Sequence, residues 1–264
     1  MFRSSNIAIH SIKFNSAISS DFLEMYTGLL DSEIKNKNEG PKQRTFAPSQ
    51  MRCDRISWFR LRGVEPDKIR EADRTLSFTA VIGTACHEKI QKTLAENLGD
   101  DWIRVRDWVD SNPEYFSDYD MTLDTHGDYE TKIDLRKPYP VRFACDGIVR
   151  FKDRVRLLEI KTSEYNSWNE LIEPKEEHLD QIKCYATLLH INNVLFLYQD
   201  RSYGEFKCFE VNVSESEQDN IRRRMTNIME LAEACIAPAG LPVGDKWCGS
   251  NMCPYYKKCS EWGR

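Results

Sequence analysis

The chain has 264 residues, 41% hydrophobic and 30% charged, with a formal net charge of −5. This length is enough for one large or two modest domains with a real core. No stretch reaches the roughly eighteen apolar residues of a membrane helix. Residues 1–18 lack the apolar region and cleavage site of a secretory signal, so we expect a cytoplasmic protein without membrane association. The net charge argues against a protein surface that is basic throughout and binds nucleic acid on all sides. Residues 41–70, however, hold eight Lys/Arg against three Asp/Glu.

The first part of the chain predicts mainly helix. The expected helices are Ser20–Asn36, 49–62 and Ile82–Asn97. Ser49 is a favourable N-cap for the second of these, and Gly63 is a favourable stop. We interpret residues 1–48 as an N-terminal extension. The acidic segment over residues 100–120 is expected to begin as helix and end as loop.

From about residue 128 the hydrophobic pattern alternates, as in strands. The expected strands are Asp128–Leu135, Val141–Phe151, Val155–Lys161, Asn193–Tyr198 and Phe206–Val213. Helices are expected over 175–190 and 215–235. This order predicts an α/β fold with a central mixed sheet flanked by helices. No linker divides the chain, so we expect a single domain over 1–264 with its core at 82–213.

Two of the expected strands form a hairpin that carries charge. If residues 151–154 are the turn, paired residue numbers sum to 305, which places Asp146 opposite Glu159. Opposed side chains share a face, with Cβ atoms about 4.5–5.5 Å apart. Lys161, two residues beyond Glu159, projects to that same face. The sequence therefore predicts that two carboxylates and an ammonium group converge.

Opposed carboxylates repel unless a cation compensates them. Mg²⁺ or Mn²⁺ prefers such oxygen ligands, polarises a phosphate and lowers the pKa of bound water. The alternative is a solvated face with a salt bridge. Ala144, Ile148 and Leu157 share the face, which favours partial burial and therefore a bound cation.

Four cysteines are flanked by turns: Cys53, Cys248, Cys253 and Cys259. Four thiolates suit an iron–sulfur cluster. Zinc accepts the same set, and disulfides would pair the cysteines two by two. An intracellular location disfavours disulfides, but the spacing does not separate iron–sulfur from zinc.

Five segments, taken in order, resemble the PD-(D/E)xK nuclease superfamily in its RecB-like branch, whose core is restriction-endonuclease-like. They are GTACHEKIQ (83–91), ACDGIV (144–149), LLEIKTS (157–163), DQIKCYATLL (180–189) and the set of four cysteines. One upstream cysteine and three downstream cysteines resemble the iron–sulfur subgroup, which includes CRISPR-associated RecB-like exonucleases and the AddB nuclease domain. The last three cysteines read C-x4-C-x5-C, where the family more often has C-x2-C-x5-C.

This resemblance implies a role for each matched residue. His87, Asp146, Glu159 and the carbonyl of Ile160 are implied as ligands of a Mg²⁺ or Mn²⁺ ion. Asp146, Glu159 and Lys161 are implied as the catalytic set. Gln181 and Tyr185, four residues apart on one helix face, are implied as substrate-binding residues, although helix-surface packing also accounts for them.

The resemblance also implies a structural 4Fe–4S cluster. Cys53, Cys248, Cys253 and Cys259 would ligate it, so that residues 49–62 and 245–264 form a clamp. DNA is the implied substrate, as single strands or duplex ends. A helicase, or a recombination or CRISPR adaptation protein, is an implied partner, and a phage or prokaryotic origin fits.

Arginines interleave with aromatic residues around Cys53. Arg55 and its basic neighbours, beside Trp58 and Phe59, suggest a surface that tracks a DNA backbone. Trp58 and Phe59 are at least as compatible with a core position.

Three functions therefore remain in view at the sequence level. The first is a metal-dependent DNA nuclease, which we expect to act as an exonuclease. The second is a nucleic-acid-binding subunit, and the third is a zinc-clamped interaction protein without chemistry. The set of His87, Asp146, Glu159 and Lys161 favours the first.

Overall fold

The structure is a computed structural model, and it describes residues 16–37, 44–67, 74–126, 129–242, 244–249 and 253–262. Within these residues the α-helices are α1 (Ser16–Lys37), α2 (Asp54–Leu61), α3 (Arg74–Leu98), α4 (Val105–Ser111), α5 (Pro113–Phe116), α6 (Tyr165–Asn169), α7 (Glu176–Leu189), α8 (Glu215–Glu233) and α9 (Tyr256–Glu261). The strands are β1 (Trp102–Ile103), β2 (Asp120–His126), β3 (Glu130–Lys137), β4 (Val141–Cys145), β5 (Gly147–Phe151), β6 (Arg154–Ser163), β7 (Asn193–Asp200) and β8 (Phe206–Asn212). None of the described helices is long and apolar enough to cross a membrane.

The chain forms two compact units. One consists of Met1–Gly40 and Arg70–Ser77, and the other of Pro41–Ile69 and Phe78–Arg264. In the first unit, the guanidinium of Arg74 donates two hydrogen bonds of 2.7 Å to the carboxylate of Asp31. The elements described below belong to the second unit.

The second unit contains two sheets. The larger has the strand order β1-β5-β6-β7-β8, in which β6 and β7 are parallel and the other pairs antiparallel. The smaller is the antiparallel sheet β2-β3-β4. The predicted α/β fold with a mixed central sheet flanked by helices is therefore confirmed.

Helices cover both faces of the larger sheet. On one face, Ile90 of α3 packs with Leu158 and Ile160 of β6. On the other, buried residues of α7 and α8 join Leu157 and Phe196 in the main core. The parallel β6–β7 pair is thus covered on both faces, as such strands require.

Turn chemistry fixes the ends of several elements. Lys152 and Asp153 both have positive φ, at 48° and 60°, so a two-residue turn of the hairpin type joins β5 to β6. Helix α7 ends at Leu189 and is capped by His190, which has left-handed backbone angles. Helix α8 begins with a capping box between Ser214 and Glu217.

Two sequence predictions of element boundaries were wrong, and one strand was not predicted. The expected helix over 49–62 is a short 3-10 turn, Pro48–Gln50, followed by α2, because Cys53 is extended and serves as the N-cap. Helix α3 begins eight residues before the expected Ile82. The first strand of the smaller sheet, β2, precedes the expected strand Asp128–Leu135 and follows the loop over 117–119 that the acidic segment was predicted to end in.

A further correction concerns the strand expected over 141–151. It is two strands, because β4 pairs with β3 in the smaller sheet and β5 pairs with β6 in the larger one. Asp146 is the single residue between them. A Cβ atom at Gly147 would lie 2.5 Å from the ring of Trp102, so any larger residue at this entry to the second sheet would require that ring to move.

Candidate active site

The β5–β6 hairpin has the register predicted from its sequence. Ile148 pairs with Leu157 and Gly147 with Leu158, so paired numbers sum to 305. Asp146 lies one residue beyond the last pair, next to Glu159. Its Oδ2 accepts a hydrogen bond of 2.7 Å from the backbone N–H of Ile160. The Asp146 carboxylate is therefore held against β6 although Asp146 itself belongs to neither sheet.

Two carboxylates and one ammonium group lie together at this point. Asp146 is 7% exposed and Glu159 is 2% exposed. The Nζ of Lys161 lies 2.5 Å from Oε1 of Glu159. Burial raises the pKa of Glu159 to about 7; the charge of Lys161 opposes this shift and the charge of Asp146 adds to it. A buried acidic pair of this kind is stable as charged groups only with a compensating cation.

Helix α3 contributes two side chains to the same point. The Nδ1 of His87 lies 3.4 Å from Oδ1 of Asp146. Gln91 is 1% exposed and donates from Nε2 to the carbonyl oxygen of Asp146 at 2.8 Å. Burial lowers the pKa of His87, but the hydrogen bond with Asp146 and its charge outweigh that effect and raise the pKa above its usual value.

Helix α7 contributes a relay of hydrogen bonds. The Nζ of Lys161 donates to Oε1 of Gln181 at 3.1 Å, and Nε2 of Gln181 donates to the hydroxyl of Tyr185 at 2.7 Å. The ring of Tyr185 stacks on Phe143, with centroids 4.6 Å apart. In the structure, Gln181 and Tyr185 therefore orient Lys161, and direct contact between these two residues and a substrate stays a prediction.

The donor set matches a hard divalent cation in chemical type. Asp146, Glu159 and the carbonyl of Ile160 offer oxygen atoms, and His87 offers an imidazole nitrogen. As placed, however, no group of three or more His, Cys, Asp or Glu side chains among the described residues is arranged to hold a metal ion. Glu159 is turned to Lys161, and Asp146 to the Ile160 N–H and His87. The residues fit the metal by chemistry and burial, while the carboxylates are satisfied by protein donors.

Two residues of the site were missed from the sequence. Gln91 follows His87 by four positions on α3, and His178 precedes Gln181 by three on α7. Helical spacing places each on the same face as a predicted residue, which is the signal that would have identified them.

The cysteine clamp, defined here as residues 51–67 with residues 231–242, 244–249 and 253–262, is a second group of predicted functional residues, and it shares the main core of the second unit. Phe59 of α2 stacks on Tyr255 with ring centroids 4.9 Å apart, and Trp58 meets Trp262 edge to face at 5.4 Å. Asp67, beyond α2, accepts the N–H of Lys257 at 2.6 Å near the start of α9. Aromatic packing and a helix cap thus join these two distant segments.

The four predicted ligand cysteines meet in the cysteine clamp. Cys53 and Cys259 are buried, and Cys248 and Cys253 are partly exposed. Burial raises the pKa of the Cys253 thiol, and the negative charges of Cys53, Cys248 and Cys259 each raise it further. Four cysteines close enough to affect one of their number in this way fit a positively charged metal centre, which would hold them as thiolates. Among the described residues, these cysteine side chains are not arranged to hold a single metal ion, and neither are the side chains of the candidate active site.

The prediction that Arg55 contacts substrate does not match its place in the structure. Its side chain is 5% exposed. Its Nε donates to the carbonyl oxygen of Pro238 at 2.7 Å, and its Nη1 donates to Sγ of Cys259 at 3.6 Å. Trp58 and Phe59 are fully buried. The segment expected to form a DNA-binding surface is therefore largely the interior of the cysteine clamp.

Other arginines of this region also serve the cysteine clamp. The guanidinium of Arg52 lies 4.0 Å from the ring centroid of Trp247. Arg62 donates to the carbonyl oxygen of Ala232 at 3.3 Å, and Arg224 pairs with Asp54 at 2.5 Å. Much of the local excess of positive charge is thus used inside the protein.

Comparison with known proteins gives distant likenesses only. No protein-family model matches the chain, and no curated protein matches it significantly. A solved structure designated SSO0001 is 17% identical, with 84% of this chain and 100% of that chain covered and a TM-score of 0.45. The alkaline exonuclease LHK-Exo from Laribacter hongkongensis is 14% identical, with coverage of 73% and 90% and a TM-score of 0.38. Its complex with dAMP is 15% identical at a TM-score of 0.36. Likenesses at these scores do not identify a function.

Proposed function

We propose that this protein is a metal-dependent deoxyribonuclease that hydrolyses phosphodiester bonds. The observation that carries the proposal is the buried pair of Asp146 and Glu159, placed together with Lys161 and His87 at the end of one hairpin. A fold has no structural need to bury two acids beside each other, and such pairs concentrate where catalysis needs them. The motif resemblance supports the same function.

Each residue has a distinct role in the proposed reaction. Asp146, Glu159, His87 and the Ile160 carbonyl would hold Mg²⁺ or Mn²⁺. When bound, such an ion supplies a Lewis acid for the phosphate and a water of lowered pKa. Lys161 orients the attacking water and stabilises negative charge on the phosphate. Gln181, itself held by Tyr185, keeps the Lys161 ammonium in place.

The finer assignments rest on the motif resemblance. We propose DNA ends or single strands as the substrate, cleavage as an exonuclease, and a helicase or a CRISPR adaptation protein as a partner. We also propose that Cys53, Cys248, Cys253 and Cys259 ligate a 4Fe–4S cluster whose role is to fasten the cysteine clamp. The closeness of the other three cysteines to Cys253, whose pKa they help to raise, supports a shared cation at this point.

A nuclease assay with Mg²⁺ or Mn²⁺ tests the proposal. Wild-type protein should degrade labelled single-stranded or duplex DNA, and Asp146→Asn and Glu159→Gln should each reduce the rate by roughly a thousandfold, as expected for loss of an essential group in a cooperative site. Glu210→Gln is the matched control, because Glu210 is a carboxylate of the same sheet that pairs with Arg156. It should cleave at the wild-type rate.

Two results would contradict the proposal. Wild-type protein that binds DNA but leaves it intact with either metal would indicate a binding subunit. If Asp146→Asn and Glu159→Gln cleave DNA at the wild-type rate, the activity does not come from this hairpin.

A further inference from the structure

His178 lies next to the candidate active site and has no role in the reaction described above. It belongs to the first turn of α7, three residues before Gln181 and seven before Tyr185. This spacing places all three side chains on one face of the helix. His178 therefore continues the Tyr185–Gln181 row by nearly one helical turn, about 4.5 Å along the helix axis.

The neighbouring strands confirm that this row runs along the site. Gln181 accepts from Lys161 of β6, and His178 contacts Tyr198 of β7. Lys161 and Tyr198 are directly paired residues of the two parallel strands. His178 thus lies beyond Lys161, towards the carboxyl end of β6.

Tyr198 determines which nitrogen of His178 carries the proton. The Tyr198 hydroxyl lies 2.7 Å from Nδ1 of His178 and also accepts the N–H of Lys175 at 3.3 Å. Tyr198 is 1% exposed, so its hydroxyl proton needs an acceptor inside the protein. Nδ1 of His178 is the acceptor at hand. A neutral imidazole that accepts at Nδ1 carries its proton on Nε2.

The surroundings also keep this imidazole neutral. Burial lowers the pKa of His178 to about 3, and the positive charges of Lys161 and Lys175 contribute. Near neutral pH the side chain is an uncharged donor at Nε2. A charged His178 imidazole would be repelled by the Lys161 ammonium group. A neutral imidazole places a second hydrogen-bond donor near Lys161 without this repulsion.

We propose that Nε2–H of His178 donates a hydrogen bond to the DNA phosphate adjacent to the scissile one, so that His178 is a substrate-positioning contact of the nuclease site. This inference rests on the proposed function. Lys161 acts at the scissile phosphate, and His178, nearly one turn further along α7, holds the next phosphate of the same strand. Two phosphates fixed in this way orient the strand for cleavage.

The test couples a protein change to a substrate change. Binding is measured by fluorescence anisotropy with EDTA present, using single-stranded oligonucleotides that each carry one neutral methylphosphonate at successive positions. His178→Ala should weaken binding of the unmodified strand roughly tenfold, the size of a hydrogen bond to a charged group. At one position, the methylphosphonate should weaken wild-type binding similarly and should not weaken His178→Ala further. Cleavage of the wild type maps that position to the phosphate next to the cut.

Two further variants separate this role from a structural one. Tyr198→Phe removes the hydroxyl that fixes the tautomer and should weaken binding by a few fold, with the same loss of methylphosphonate sensitivity. His190→Asn is the matched control. His190 follows the last residue of α7, and its Nε2 lies 3.0 Å from the hydroxyl of Tyr119, so it is a histidine–tyrosine pair at the other end of the helix. This variant should bind every oligonucleotide as the wild type does.

The outcomes distinguish this inference from the proposed function. If the wild type cleaves DNA and the losses from His178→Ala and from every methylphosphonate simply add, the inference is wrong and the nuclease stands. A His178→Ala variant that binds DNA as tightly as the wild type would also show that the inference is wrong, while the nuclease stands. Coupling at one position in a protein that never cleaves would support the phosphate contact and overturn the nuclease. A wild type that binds no DNA would overturn both.

Discussion

The candidate active site draws its side chains from residues 87–185, whereas the cysteine clamp joins residues 51–67 to segments within residues 231–262. The active site is positioned by backbone pairing: the hairpin register sets Asp146 beside Glu159, and the parallel β6–β7 pair sets Lys161 beside Tyr198. The cysteine clamp is positioned by side chains, through stacked rings and the buried Arg55. The difference predicts that chemistry and stability depend on different side chains within one shared core, so a change in either region should affect one property far more than the other.

The largest expected effect lies in the active site. Lys161→Met should reduce cleavage by about a hundredfold or more, because it removes the charge that stabilises the reacting phosphate. Binding of Mn²⁺, measured by calorimetry, should persist because lysine is not a ligand. Lys207→Met is the control: Lys207 donates to the carbonyl oxygens of Trp168, Asn169 and Leu171. It should lower the melting temperature and leave turnover per folded molecule intact. Equal activity losses in the two variants would contradict the assignment.

A stability effect is expected from the cysteine clamp. Cys53→Ser protein, purified anaerobically, should lack the absorbance at about 400 nm that we expect of the wild type, because the cluster has lost a ligand. It should also lower the free energy of unfolding by several kcal/mol, because metal binding stabilises the folded state. Cleavage per folded molecule should be unchanged.

Cys184 provides the comparison for that variant. It is a fully buried cysteine of α7, outside the cysteine clamp. Cys184→Ala should cost about 1 kcal/mol for a small cavity and retain the colour. If the wild-type protein is colourless and contains zinc, the cysteines do not hold an iron–sulfur cluster. The proposal that a metal fastens the clamp would then still hold.

The smallest expected effect concerns Asp67 and tests whether the two segments of the cysteine clamp stay together without metal. Asp67 accepts the N–H groups of Lys257 and Lys258, at 2.6 and 3.4 Å. Asp67→Ala should lower stability by about 1 kcal/mol, the usual value of a cap, and speed limited proteolysis near α9. Asp110→Ala, at an exposed position of α4, should change neither. If chelated protein shows no difference between Asp67→Ala and wild type, the metal alone holds the tail.

The features that were predictable from the sequence are those that local patterns encode. The alternation of β6 and the turn at Lys152–Asp153 were enough to give the hairpin register, and periodicity gave α7 and α8 closely. It did not reveal that Asp146 leaves one sheet for another, because alternation continues through the break and only the partners of β4 and β5 differ.

Tertiary contacts also decided what the arginines do. A basic and aromatic segment has one composition whether it faces DNA or the protein interior. Arg55 lies inside because Pro238 and Cys259, 183 and 204 residues away, offer it acceptors. The position of His178 beside the site was not predictable for a related reason, since its partner Tyr198 is on the strand after the next loop.

The one-residue passage at Asp146 has a consequence for how the gene can vary. Side chains alternate with a period of two along β4 and β5, so a single insertion or deletion between Val141 and Phe151 would invert the faces of one strand. It would also carry the Asp146 carboxylate away from the Ile160 N–H that now holds it. Length changes in functional relatives should therefore collect in surface turns such as the one between β7 and β8 and be absent from this stretch.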